Sequence, residues 1–334
     1  MRKLIPFIFI PLITIFGCGS DSSGKKTQVK IAEIAEVHHI QPNDVATYIE
    51  NYKLQQEQLN FEFNGVDYDI ELIDFDMKKN IIEAKFELGL LVIGFDFDNE
   101  KPINNLTVIA TTDITDESKI TAVYGATDLL LSEQDENIIY AGDLIDTQMN
   151  THYTAKLTFN EALINGGNSK LTIQDEKAYL SGTLGSKTYI QIKDLINQNP
   201  SVKTIKFISI DGSVNDAINM HTGRLIRNAQ LTTYMPSTGE AYSGGVDLYV
   251  SGFNRVYEIG GKLGVHSWCC EAGKPADQLG KDHKGHGAQL TFFREILGKE
   301  LGPEFYFYTI NAAPFDSVHV MTKQELIKYK IIAE

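Results

Sequence analysis

The chain has 334 residues, 43% hydrophobic and 22% charged, with a formal net charge of −14 and a pI near 5.0. That acidity argues against nucleic acid and against direct contact with anionic lipid headgroups, since both demand a basic surface. There are three cysteines. Two of them, Cys269 and Cys270, are adjacent, a spacing that disulfide geometry does not favour, so no disulfide framework is indicated.

Arg2 and Lys3 precede an apolar run over residues 4–16, and Gly17 stands directly before Cys18. This is the layout of a secretory signal over residues 1–17, and the run is shorter than the about 20 residues a spanning helix needs. Ile15-Phe16-Gly17-Cys18 resembles a bacterial lipobox, with Phe16 bulkier than usual. The resemblance implies that the Cys18 thiol is acylated, with palmitate or a similar chain, and that Cys18 becomes the mature N-terminus. Several acyl chains on one residue, at about 0.8 kcal/mol per buried CH₂, anchor effectively permanently. Gly19 replaces the aspartate that resembles an inner-membrane retention signal in enteric bacteria. The expected address is therefore the cell envelope, at the outer membrane rather than the inner. Residues 18–43, small and polar after the anchor, read as a flexible stalk.

More than 300 residues follow the signal, longer than one typical domain. The pattern divides at about residue 175. Residues 44–175 begin with a short helix over 44–59 and continue as strands, with Asn64-Gly65 between alternating runs as the clearest hairpin signal. Strand-like runs recur at 81–97, 106–110, 120–124 and 153–159, which points to an antiparallel sandwich or barrel without evident chemistry. The pairs Asp74/Asp76 and Asp96/Asp98 lack calcium-loop spacing and read as solvated strand faces, and His38-His39 shows no matched partners.

Residues 176–334 alternate strands with helices, implying an α/β domain with a mostly parallel sheet. Strands are expected at 178–183, 201–210 and 231–235, and helices at 189–198 and after Ser213. Next comes Ala241-Tyr242-Ser243-Gly244-Gly245-Val246-Asp247, entering a helix. A serine at a helix start, followed by glycines, lies where free N–H groups stabilise negative charge, although serine is also an ordinary helix cap. A short strand then ends at Leu263-Gly264-Val265-His266, delivering an imidazole, and a final helix spans 323–329.

These features resemble the Clp-type serine peptidases of the crotonase-like superfamily, especially their secreted relatives, over about residues 178–332. They are the strand ending in Ile210-Asp211-Gly212-Ser213, the Ser243-Gly244-Gly245 helix start, the Gly264-Val265-His266 strand end, and the closing Met321-Thr322-x-x-Glu325-Leu326 segment. The resemblance implies Ser243 as nucleophile, His266 as general base and, in position only, Asp316 as third triad member. It also implies an oxyanion hole from the backbone N–H of Gly244 and of Ser213 or Gly212. The family's turn has two adjacent glycines where this chain has Gly212-Ser213. The expected activity is a membrane-anchored, ATP-independent serine hydrolase acting on peptides or another acyl substrate, with no cofactor or metal and possible homo-oligomerisation. A non-catalytic binding or scaffolding lipoprotein of the same fold is the alternative.

Two other readings use the same residues. Ala241-x-Ser243-x-Gly245 approximates the nucleophile elbow of an α/β-hydrolase esterase, with Asp316 and His319 completing the order, but this leaves the Gly-Val-His strand end unexplained. His266, Cys269, Cys270, His283 and His286 are zinc-type ligands, yet adjacent cysteines do not fit zinc spacing, and a lid loop over 269–287 is the favoured reading. Asp216, Arg224, Arg227 and Asp247, at helical spacing beside apolar residues, read as structural ion pairs or caps. Trp268 reads as pocket wall or core. Phe292, Phe293, Phe305, Tyr306 and Phe307 read as residues that bury helices.

Overall fold

Asn64 and Gly65 both take left-handed backbone, with φ of 53° and 76°, and Phe63 pairs with Val66 across them. This is the two-residue turn that Asn-Gly favours. The computed structural model to which it belongs describes residues 36–76, 79–97, 101–134, 137–146 and 148–332. The signal, Cys18, the stalk to residue 35 and Asp98 lie outside the described residues. Helix α1 (Val45–Gln56) leads into the hairpin β1 (Asn60–Phe63) and β2 (Val66–Tyr68). An antiparallel meander follows: β3 (Glu71–Asp76), β4 (Ile81–Phe86), β5 (Gly89–Asp96), β6 (Lys101–Thr111), β7 (Ile120–Gln134), β8 (Asn137–Asp146) and β9 (His152–Phe159).

These nine strands form one sheet in the order β2-β1-β9-β8-β7-β6-β5-β4-β3. In a flat sheet β1 and β4, six places apart, would lie about 29 Å from each other at about 4.8 Å per strand. Yet the rings of Phe61 on β1 and Phe86 on β4 are 5.2 Å apart, and Tyr68 on β2 is 5.4 Å from Phe86. The sheet therefore curls until its ends meet through side chains, while β2 and β3 share no ladder. The expected sandwich or barrel is thus corrected to a single curled, open sheet. Its concave face is sealed by Phe61, Ile82, Leu91, Ile93, Tyr140 and Phe159 among others. On the rim, Asp76 pairs with Lys79 at 2.8 Å.

Helix α2 (Glu161–Asn165), capped by the Asn160 side chain, leads to β10 (Lys170–Gln174) and β11 (Lys177–Ser181). Then come α3 (Ser186–Gln198), β12 (Thr204–Ile210), α4 (Asp216–Asn228), β13 (Thr232–Met235), β14 (Glu240–Tyr242), α5 (Gly244–Val250), β15 (Asn254–Tyr257) and β16 (Lys262–Val265). The chain closes with α6 (Gly287–Leu297), α7 (Leu301–Ala312), β17 (His319–Val320) and α8 (Lys323–Lys328).

Strand β12 is shared between two arms. Its first half pairs parallel with β13, which pairs parallel with β15; its end pairs parallel with β14, which pairs parallel with β16. The chain steps from one arm to the other at two similar turns, closed by Gly239 N–H to Pro236 C=O and by Gly261 N–H to Glu258 C=O. β11 joins β12 in parallel, whereas β10–β11 and β16–β17 are antiparallel. Helices pack on the arms through fully buried Phe207, Ile210, Val246, Leu248, Tyr249, Phe292 and Phe305. Burying each such side chain contributes about 1.5–3 kcal/mol.

The register of β14 on β16 is what assembles the site. Tyr242 pairs with Gly264, and the Ser243 N–H donates to the Gly264 carbonyl at 2.9 Å. Ser243 and His266 therefore leave neighbouring parallel strands at nearly the same level.

Candidate active site

Ser243 holds the N-cap position of α5, but its side chain makes no capping hydrogen bond. Its backbone is φ 52°, ψ −126°, a left-handed conformation that costs a non-glycine residue about 1–3 kcal/mol. A serine that merely capped the helix would sit in extended backbone with its hydroxyl on an N–H group. Here the hydroxyl is released instead into a cleft lined by Asp216, Ser243, Gly244, Asp247, His266 and Tyr306, with Trp268, Gln289 and Phe293 among its walls. The cleft is narrow, with a cavity volume of about 40 Å³.

The glycines beside Ser243 are there because nothing larger fits. A Cβ on Gly244 would lie 2.5 Å from the Ser213 Cβ, and one on Gly245 2.8 Å from the Ile210 side chain. Gly212, at φ 144°, would carry a Cβ 3.3 Å from that of Ser243. Around this turn the Leu184 N–H donates to the Gly212 carbonyl at 2.8 Å, and the Val214 N–H donates to Leu184 at 3.0 Å. Because alternate groups of an extended segment point to opposite sides, the Ser213 N–H faces away from Leu184, toward the side where β14 runs into Ser243. The Gly244 N–H, first in its helix, has no intrahelical acceptor. The turn after β12 and the start of α5 thus bring Gly212, Ser213 and Gly244 around Ser243.

His266 Nδ1 donates to the Ser267 carbonyl at 2.8 Å. A carbonyl only accepts, so the proton is on Nδ1 and the Nε2 lone pair remains for base chemistry. Among the described residues, no direct hydrogen bond joins Ser243 and His266. Asp316 does not lie with them: it occupies an exposed turn before β17, outside the cleft lining. His319, needed by the α/β-hydrolase reading, is instead hydrogen-bonded to Glu325 at 3.0 Å.

Two other carboxylates share the cleft with Ser243 and His266. Asp216, at the start of α4, and Asp247, in α5, both line the cleft. Of the two structural readings, the ion pair is corrected, since neither has a Lys or Arg partner among the described residues, but both aspartates do stand in the first turns of their helices, where a cap group would. Burial raises the pKa of Asp216, against the opposing pull of the Ser213 hydroxyl and of nearby His266 and His39. Burial, reinforced by the charge of Asp216, pushes Asp247 well above the usual carboxylate range. The sequence did hold a signal. No Lys or Arg lies three or four residues from Asp216 or Asp247, so helical ion pairing was unavailable, and Asp247 shares a helix face with Ser243 four residues earlier. Arg224 and Arg227 do serve structure: Arg224 pairs with Glu295, and Arg227 donates to the Gly252 carbonyl.

The segment after His266 is stapled in place. The Ser267 hydroxyl donates to Asp277 at 2.8 Å, and the Asp277 N–H donates back to Ser267 at 3.1 Å. Trp268 donates its indole N–H to the Tyr306 hydroxyl at 2.9 Å, and that hydroxyl lies 2.7 Å from Nδ1 of fully buried His286. The Cys269 and Cys270 sulfurs are joined to each other, where the sequence indicated no pairing. No group of three or more His, Cys, Asp or Glu among the described residues is arranged to hold a metal ion. His38 and His39 do have neighbours: His38 stacks on His221 at 6.3 Å, and His39 lies near Asp216.

No protein-family model and no curated protein matches the chain. Solved structures similar to it include an enoyl-CoA hydratase from Bacillus anthracis, at 11% identity and TM-score 0.32, covering 49% of this chain and 68% of that one. Another is an enoyl-CoA hydratase from Bacillus halodurans, at 13% identity and TM-score 0.32, covering 49% of this chain and 71% of that one. At these values the likeness bears on neither activity nor substrate.

Proposed function

We propose that this protein is a serine hydrolase that transfers acyl groups through Ser243, in the manner of a Clp-like, ATP-independent peptidase. The observation that carries the reading is the Ser243 hydroxyl, strained into left-handed backbone, excused from capping α5, and opening into the same cleft as His266. His266 Nε2 takes the Ser243 proton during attack on the substrate carbonyl and returns it to the leaving group. The Ser267 carbonyl fixes the tautomer, and Asp216 stabilises the imidazolium in the role first assigned to Asp316. The N–H groups of Gly244 and Ser213 receive the developing oxyanion.

Export and anchoring through Cys18 belong to the same proposal and rest on the leader sequence. Outside the cytoplasm there is no ATP to drive an unfoldase, so the substrates are short or already unfolded chains, or other small acyl compounds. A fluorophosphonate probe labels the wild type and not Ser243→Ala, and His266→Gln slows labelling by about 10²–10⁴-fold. Equal labelling of wild type and Ser243→Ala sinks the assignment.

A further inference from the structure

The reaction above uses only the backbone N–H of Ser213, yet the side chain of that residue is kept where space is shortest. A Cβ on Gly244 would lie 2.5 Å from the Ser213 Cβ and 3.3 Å from Asp216 Oδ1, so the serine side chain and the carboxylate border the same glycine. The Ser213 Oγ accepts the Asn215 N–H at 3.1 Å. A hydroxyl has one proton to give, and this one goes to Asp216, which takes a hydrogen bond from the Ser213 side chain. Asn215 is itself held at both ends of its amide. Its Oδ1 caps α4 by accepting the Ile218 N–H at 3.2 Å, and its Nδ2 donates to the Tyr48 hydroxyl on α1 at 2.6 Å. Helix α1 is fixed against this part of the chain by Val45 and Ile49, which pack with Tyr189 of α3 and Ile218 of α4. A line of hydrogen bonds therefore runs from Tyr48 through Asn215 and Ser213 to Asp216, the carboxylate that faces His266.

We propose that the Ser213 hydroxyl is a positioning group for the acid of the hydrolase, braced from outside by Tyr48 through Asn215. The inference rests on the reading of Ser243, His266 and Asp216 as the reacting constellation, and it is separate from the oxyanion role of the Ser213 backbone N–H. The hydroxyl holds the Asp216 side chain in one orientation and favours its charged form, which burial opposes. Without it, Asp216 is free to turn away from His266 or to keep a proton, and either outcome weakens the hold on the imidazolium. Helix α1, which precedes the curled sheet in the chain, thereby becomes part of the support of a site built by the α/β region.

The experiment is a double-mutant cycle on the full chain, read as the saturating rate of fluorophosphonate labelling and, separately, as the probe concentration at half-saturation. Ser213→Ala keeps the backbone N–H and removes only the hydroxyl. It should lower the saturating rate by about tenfold or more and leave the half-saturating concentration unchanged, because the lost bond to a charged group acts on the transition state. On the Asp216→Asn background the same change should add less than about twofold, since no carboxylate remains to be held. Tyr48→Phe, which removes one oxygen at the outer end, should cost about two- to threefold and nothing further once Ser213 is replaced. A wild-type rate in folded Ser213→Ala overturns the inference, and so do effects of Ser213→Ala and Asp216→Asn that simply multiply. A second measurement needs no catalysis. The hydroxyl favours Asp216 only where that carboxyl is ionised, in surroundings that also hold Asp247 of α5, Tyr306 of α7, His266 and His39. The urea midpoint of Ser213→Ala should therefore fall below wild type by more at pH 8 than at pH 5, and the difference between the two pH values should vanish on the Asp216→Asn background. An equal deficit at both pH values overturns the inference even if no protein labels. The two readings fail separately: a pH-dependent deficit without labelling removes the hydrolase and keeps the held acid, whereas labelling that needs Ser243 but ignores Ser213 removes only the inference.

Discussion

The curled sheet and the α/β region both bury large aromatic side chains, but they treat polar groups and backbone differently. In the sheet, left-handed residues are turn asparagines such as Asn64, Asn80 and Asn150. The buried Tyr140 hydroxyl donates to the Gly94 carbonyl, and the buried Asp146 carboxylate accepts from the N–H groups of Gln148 and Met149. In the α/β region the left-handed residues include Ser243, and buried polar atoms without partners include Asn219 Oδ1, His286 Nε2 and Gln289 Oε1. One region keeps the local rules, and the other breaks them at several places, of which the cleft at Ser243 is one. Broken rules that nothing nearby repays mark where a fold has been shaped for function.

That contrast is tested hardest at the seam of the curled sheet. Phe86 is 3% exposed and meets Phe61 and Tyr68 edge to face. Phe86→Ala should cost about 3–5 kcal/mol in urea unfolding, as large aromatic truncations in a core do. Fluorophosphonate labelling per folded molecule should be unchanged, because the sheet supplies no group to the cleft lining. Labelling that falls in the molecules still folded would mean that the sheet shapes the site.

A middle-sized effect concerns pH. Asp247 faces Asp216 from α4 and Tyr306 from α7, and Asp216 in turn faces His266, His39 and Ser213. Both carboxyls are raised in the folded protein. Between the unfolded carboxylate value of about 4 and those raised values, the folded state holds more protons than the unfolded chain. Stability therefore falls as pH rises through that window. Asp247→Asn should flatten the decline and leave the variant more stable than wild type at pH 8. Urea melts across the pH range read this directly, and identical slopes for the two proteins would remove the buried pair from the account.

That Ser243 and His266 stand side by side was easier to read from the sequence than the meeting of the two acids, because the two leave different kinds of signal. Asn64-Gly65 announces its turn because only residues tolerant of positive φ fit there. Ser243 and His266 stand at the ends of short runs whose register, Tyr242 against Gly264, brings them side by side. Their sequence surroundings are therefore local and readable. Asp216 and Asp247 come together only when α4 and α5 pack, a tertiary event that no single helix pattern encodes. Asp316 drew attention through its place ahead of the closing segment, yet the chain there turns outward before β17. The curl of the first sheet was hidden for a similar reason. Alternation identifies strands and one buried face, but contact between Phe61 and Phe86 depends on twist accumulated over the whole meander.

The smallest effect separates strain from ordinary turn geometry. Ser243 carries φ 52° in the cleft, and Asn80 carries φ 56° in a sheet turn. Asparagine tolerates left-handed backbone far better than serine. Ser243→Gly should therefore relieve strain of about 1–3 kcal/mol, less the roughly 0.5–1 kcal/mol that glycine costs in unfolded-chain entropy, for a net gain near ~1 kcal/mol. Asn80→Gly should gain little or nothing. Labelling should vanish in the first variant and persist in the second, so stability and reactivity move in opposite directions only at the cleft. If Ser243→Gly melts no later than wild type, the left-handed serine stores no strain, and release of its hydroxyl from the cap position is left to carry the assignment alone.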